Sequence, residues 1–210
     1  MHRLISKTFA CIILSLAAAH PAAAAITIAS GSQISINGAA QLIGPSGGAA
    51  NQATAIDFLT HGVSGPAAGT LSGYIGMGTF AGQFCDTACG TINDITSLAV
   101  GSSVLPLFTL SDGVIFALNN ITSIDRSVVN VLSFTGTGTF SGTLGGIALN
   151  ATPGDFVFST QGVNLTTFSA SADSVGPVPE PATWVLMLLG FGGIGFAMRR
   201  RPRPVLAQIA

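Results

Sequence analysis

Residues 106–118 read PLFTLSDGVIFAL. Two short apolar stretches, Pro106–Leu110 and Val114–Leu118, flank Ser111-Asp112-Gly113. Thr, Val, Ile and Phe suit a pleated, half-buried strand, and Asp-Gly supplies the backbone freedom of a tight reversal. The stretch therefore predicts a β-hairpin, and the segments around it repeat the theme. Gln33-Ile34-Ser35-Ile36-Asn37 alternates apolar and polar and then meets Asn37-Gly38, a turn signal. Val128–Phe134, Gly138–Leu144, Asp155–Thr160 and Val163–Ala170 have the same character, with glycine recurring between them. No part of residues 26–176 sustains a helical period. Short strands at this spacing predict an all-β domain, an antiparallel β-sandwich of jelly-roll-like form.

Composition places that domain inside a longer plan. Charged residues make up 7% of the 210-residue chain, against about 25% for an ordinary soluble domain. Mean hydropathy is +0.64. The apolar excess lies at the two ends, and the middle is rich in Gly, Ser, Thr and Ala. Arg126 is the single cation between Lys7 and Arg199, set against Asp57, Asp86, Asp94, Asp112, Asp125, Asp155 and Asp173. A surface with that balance repels phosphate backbones, which argues against nucleic acid as a partner.

The N-terminal end has the layout of a secretory signal peptide. MHRLISK (1–7) is basic, TFACIILSLAAA (8–19) is apolar, and HPAAAA offers small residues for signal peptidase. Twelve residues are too few to span a bilayer, which needs about 20. Cleavage after Ala24 or Ala25 leaves a body of about 150 residues, enough for one domain with its own core. Cys11 lies within the apolar run and not after it, so lipoprotein processing is not expected.

The C-terminal end reads VPEPATWVLMLLGFGGIGFAMRRR (178–201). Ala182–Met198 is a seventeen-residue apolar run, at the lower limit for a transmembrane helix. Trp184 suits the bilayer interface at one end of it. Arg199, Arg200, Arg201 and Arg203 at the other end form a stop-transfer cluster that keeps that end cytoplasmic. Pro179 and Pro181 interrupt any helix running back into the body and hold an extended strip around Glu180. Gly190-Phe-Gly192-Gly-Ile-Gly195 fits the dinucleotide fingerprint in letters alone. It lies inside the apolar run, with no strand before it, and reads better as close helix packing.

Pro179-Glu180-Pro181, Trp184, the glycine-rich apolar run and the arginine cluster, in that order, resemble the PEP-CTERM sorting signal of Gram-negative bacteria. The PEPxxW form is similar to its alphaproteobacterial variant. The same tail is also named an ice-binding-protein C-terminal domain, a label that describes the tail alone. The resemblance implies recognition of Pro179, Glu180, Pro181 and Trp184 by exosortase, a membrane transpeptidase, and cutting near that motif. It implies transient holding in the inner membrane, release to the cell surface or extracellular matrix, and association with exopolysaccharide. It covers the last 25 or so residues before the tail and says nothing of the body.

The expected organisation is a signal peptide over 1–25, a Gly/Ser/Thr-rich β domain over 26–176, the sorting signal over 177–203 and a tail over 204–210. Cys85 and Cys89 are the cysteines left after export. In an oxidising compartment a disulfide across this short loop is expected, fixing a local turn. No second pair stands by to complete a metal site, and no metal or other cofactor is expected. Calcium on the loop aspartates lacks a D-x-D-x-D-G run.

Two catalytic patterns occur. Gly44-Pro45-Ser46-Gly47-Gly48 fits G-x-S-x-G, with His61 as the one available base, but the motif belongs between a strand and a helix of a large α/β sheet. Paired aspartates serve glycosidases when held at a set separation, which sequence does not supply. The body is expected to be non-enzymatic, structural or adhesive. The alternative is a secreted hydrolase of matrix polysaccharide, and a further alternative is a permanently anchored, unprocessed protein. Gly76-Met-Gly-Thr-Phe-Ala-Gly82 also echoes Gly136-Thr-Gly-Thr-Phe-Ser-Gly142, and Ile95-Thr-Ser echoes Ile121-Thr-Ser.

Overall fold

A computed structural model describes residues 24–45, 48–60, 68–176 and 181–199. The signal-peptide segment up to residue 23, Ser46, His61, Pro179, Glu180 and the arginines at 200, 201 and 203 lie outside them.

The hairpin expected at 106–118 is present. Strand β6 (Val104–Leu110) pairs antiparallel with β7 (Val114–Asp125), Phe108 opposite Phe116 and Thr109 opposite Ile115. Gly113 turns the chain at φ +97°, a left-handed conformation that glycine adopts without a Cβ clash. The Asp112 carboxylate accepts the backbone N–H of Val114 at 3.2 Å.

Around this hairpin the strands run as an antiparallel meander. In chain order they are β1 (Gln33–Ile43), β2 (Ala55–Phe58), β3 (Gly69–Met77), β4 (Phe84–Cys85) and β5 (Gly90–Ile92), then β6 and β7. After these come β8 (Val131–Leu144), β9 (Ile147–Ala148), β10 (Thr152–Gln161) and β11 (Leu165–Ser174). The ladder runs β1–β11–β10–β8–β7–β6–β5–β3, and β3 pairs back onto β1. Eight strands thus close into one antiparallel barrel.

This corrects the expected sandwich. The inward/outward alternation read from the sequence is the same in both architectures. What differs is that β1 carries a partner on each edge, β11 along Gln33–Gln41 and β3 along Gln33–Gly38. Closure satisfies edge N–H and C=O groups that a sandwich leaves open. The Asn37-Gly38 turn signal is overridden for the same reason: the chain continues as strand, and a register shift at Asn37/Gly38 absorbs the irregularity. Likewise residues 131–134 and 138–144 are not two strands but parts of the single 14-residue β8, and residues 128–130 form a turn ahead of it.

The barrel interior is aromatic. Phe108 stacks on Phe116, Phe116 on Phe156, Phe134 on Phe158 and Phe158 on Phe168, while Phe58, Phe80 and Phe140 join edge-on or tilted. All of these rings are buried. Such pairs add roughly 0.5–1.5 kcal/mol each beyond the area they bury. Glycine makes room for them on β8: a Cβ on Gly138 would come within 2.3 Å of the Phe116 ring and of the Ala117 carbonyl.

Outside, the strands present Ser, Thr, Asn and Asp. One register row reads Asn37, Ser169, Ser159, Ser133 and Asp125 across β1, β11, β10, β8 and β7. An apolar interior with a hydroxylated wall is the reverse of a lipid-facing barrel.

The two ends of the domain meet at one pole. Gly31 N–H donates to the Ser174 carbonyl at 3.0 Å and Ser174 N–H to the Ser32 carbonyl at 2.8 Å. The buried Ser174 hydroxyl donates to the Ala29 carbonyl at 2.6 Å. These bonds clamp the point at which the chain leaves the barrel for its C-terminal segment.

Candidate sorting tail and surface trough

Beyond the clamp comes one helix, α1 (Pro181–Arg199). Pro181 takes the first helical position, where its missing N–H costs nothing and its fixed φ suits the turn. Arg199 stands in the last turn, the favourable end of the helix dipole for a cation. The expected spanning run, Ala182–Met198, falls within this helix, and its described side chains, among them Leu186, Leu189 and Phe191, are exposed. Among the described residues no helix is long and apolar enough to cross a membrane. The run sits at the minimum length, and Gly190, Gly192, Gly193 and Gly195 dilute its hydropathy. Pro179, Glu180 and the arginines beyond 199 lie outside the described residues. Pro181 and Trp184 are placed in α1 by their backbone.

On the barrel, Cys85 and Cys89 are joined by a disulfide with their Cα atoms 5.5 Å apart. The bridge pins the β4–β5 turn against β3, where Cys85 pairs with Tyr74 and Phe84 with Ile75. Beside this turn lie two grooves of about 340 and 320 Å³ that share Ser72 and Asp86 and so form one trough. Ser35, Asn37 and Ser169 line one side of it, Phe84 and Ile75 the other. Phe84 is 67% exposed, the exception among the phenylalanines of the described barrel. The sequence reading did not single it out. Its place two residues before Asp86, in a two-residue strand too short to bury both faces, was the available signal.

Tyr74, buried, lines the trough from β3, and its hydroxyl interacts with Ser111 and Asp112. Burial raises its pKa above 10.0, the Ser111 hydrogen bond opposes this, and the Asp112 carboxylate adds to the rise. Arg126, the body's one cation, donates to the carbonyls of Ala53 at 2.9 Å and Leu98 at 3.2 Å. It ties loops together and faces no acidic partner in these bonds.

Ser46 and His61 of the catalytic pattern lie outside the described residues. The aspartates are dispersed, and among the described residues no group of three or more His, Cys, Asp or Glu is placed to hold a metal ion. One carboxylate pair is in register: Asp155 of β10 lies opposite Asp173 of β11 on the outer wall. Direct like-charge neighbours of this kind disfavour pairing.

No curated protein and no solved structure matches the chain. Residues 177–201 match the family model of the PEP-CTERM protein-sorting motif. That segment contains Pro179, Glu180, Pro181, Trp184 and Arg199 to Arg201, and the motif implies export with exosortase as the processing partner. The chain thus carries a PEP-CTERM protein-sorting motif beyond its β-barrel.

Proposed function

We propose that the chain is exported, trimmed by signal peptidase, held briefly in the inner membrane by α1, and cut by exosortase around Pro179–Pro181. The barrel then reaches the cell surface or the exopolysaccharide matrix as a structural or adhesive unit without catalysis. The observation that carries this reading is the PEP-CTERM match over residues 177–201. An α1 that, as described, falls short of the length and apolarity needed to cross a membrane favours a brief hold over a permanent anchor. The clamp of Ser32 and Ser174 supports it too, because cutting beyond Gly176 leaves the barrel's last strand bonded. In this reading Glu180 and its flanking prolines are the recognition strip, Trp184 sits at the interface, and Arg199, Arg200, Arg201 and Arg203 set orientation.

Intact mass of the mature protein from its native host, with fractionation, tests this for wild type and Glu180→Ala. Wild type is expected outside the membrane without residues 1–25 and without the arginines. The variant is expected in the membrane with its tail. If both forms retain Trp184 and the arginines, the tail is an anchor and the reading fails.

A hydrolase acting on matrix polysaccharide is the second reading, favoured by the opposed Asp155 and Asp173. Retaining glycosidases hold two carboxyl groups about 5–5.5 Å apart. Release of reducing ends from the host polysaccharide, abolished by both Asp155→Asn and Asp173→Asn, selects it.

A further inference from the structure

We propose that the outer wall beside the disulfide binds a neutral, hydroxyl-rich polymer, a glycan chain laid across the strands, with Phe84 as its anchor. This deepens the matrix reading and rests on it only for where the polymer is met.

The register sets out the track. Phe84 pairs with Ile75, Ile75 with Ser35, Ser35 with Ser171, Ser171 with Val157 and Val157 with Thr135. All six side chains fall on the outer face. At a strand spacing of about 4.8 Å the five steps cover about 24 Å of wall. The row mixes two chemistries. Phe84, Ile75 and Val157 are 67%, 52% and 44% exposed; the hydroxyls of Ser35 and Ser171 stand between Ile75 and Val157, and Thr135 lies beyond Val157. A sugar ring has the same two characters, an apolar C–H face and a rim of hydroxyls. Aromatic and aliphatic surface takes the first, and neutral donor-acceptor groups take the second.

Three observations favour this occupant over a protein or a charged polymer. Phe84 is preorganised: the disulfide begins at the next residue, and β4 is hydrogen-bonded to β3. Holding a ring at the surface of a barrel that buries its other described phenylalanines costs solvation that a ligand would recover. The trough also runs alongside the row, concave and lined by Ser35, Asn37, Ser72 and Ser169, which suits a narrow chain better than a flat partner. Finally, the row carries no charge, and the charged groups beside it are carboxylates: Asp86 in the trough, and Asp155 and Asp173 two residues along from Val157 and Ser171. That leaves nothing to attract a polyuronate.

The test is affinity electrophoresis and calorimetry of the full chain in mild detergent. The probes are hydroxyethylcellulose and dextran as neutral polymers, alginate as an anionic one and chitosan as a cationic one. At least one neutral polymer is expected to retard the wild-type chain and alginate is not. Phe84→Ala is expected to weaken that binding about tenfold with an unchanged melting curve, and Phe84→Tyr, which keeps the ring, to retain it. Absence of binding to both neutral polymers overturns the proposal. So does binding that Phe84→Ala leaves intact, loss of binding in Phe84→Tyr with the fold retained, or retention by chitosan alone. None of these outcomes depends on tail processing, so a failure here is distinct from a failure of the sorting reading.

Discussion

Phe80 and Phe140 meet inside the barrel with ring centroids 5.4 Å apart. They are the equivalent residues of the two echoed segments, 76–82 and 136–142, yet the backbones around them differ. Phe140 lies within the long strand β8, whereas Phe80 closes a short 3-10 turn over 78–80 that follows β3. The shared Gly-Thr-Phe-x-Gly text places a ring between small neighbours in both cases, and the core joins the two.

Phe140→Ala removes a ring that contacts both Phe80 and Phe116. A loss of about 3–5 kcal/mol is expected, the range for buried Phe truncation. Phe80→Ala is expected to cost a similar amount, and the double variant less than the sum, because the two share one cavity. Urea midpoints of the four proteins check this.

Gly38 shows how tightly the rings use glycine. A Cβ there would lie 2.8 Å from the Phe168 ring, with backbone no nearer than 3.4 Å. Gly38→Ala is expected to destabilise by about 1–3 kcal/mol through overpacking. Adding Phe168→Leu is expected to recover part of that loss, since the obstruction is a side chain. Thermal melts of single and double variants decide it.

Arg126→Met keeps the aliphatic length and removes the donors to the Ala53 and Leu98 carbonyls. A loss of about 1–3 kcal/mol is expected from leaving those acceptors unpaired. Polymer binding at the trough, whose lining does not include Arg126, is expected to stay as in wild type. If Arg126→Met instead abolishes binding with stability unchanged, the residue is a ligand contact and not a loop tie.

Tyr74 makes stability sensitive to alkali. Its folded pKa is raised above 10.0 by burial, so the folded state holds its proton more tightly than the unfolded chain. The stability this contributes is fully present below about pH 10 and is lost as pH rises through the folded value. Wild type is expected to unfold more readily above pH 10, and Tyr74→Phe to flatten that dependence. Denaturant midpoints between pH 8 and 11 measure it.

Much of this was legible locally. The 106–118 hairpin follows from β-branched and aromatic residues around Asp-Gly, and the inward positions of β7, β8 and β10 follow from alternation with period two. The sorting tail was readable because Pro179-Glu180-Pro181, Trp184 and the arginines form one contiguous text, and residues 177–201 match the sorting-motif model. The trough was not legible, since Ser35, Ser72, Phe84 and Ser169 come from four separate parts of the chain.

The amino-acid sequence by itself determined strands, turns and a sorting motif, all written within windows of a few residues. Only the tertiary structure decided that the sheet closes. Alternation says which face a residue takes but not which strand lies beside it. That choice rested on β1 accepting β11 and β3 at once, with Ile36 opposite Ala170 on one edge and Tyr74 on the other. Ladder bonds between residues so far apart in the chain depend on the whole core packing together, and no local pattern encodes them.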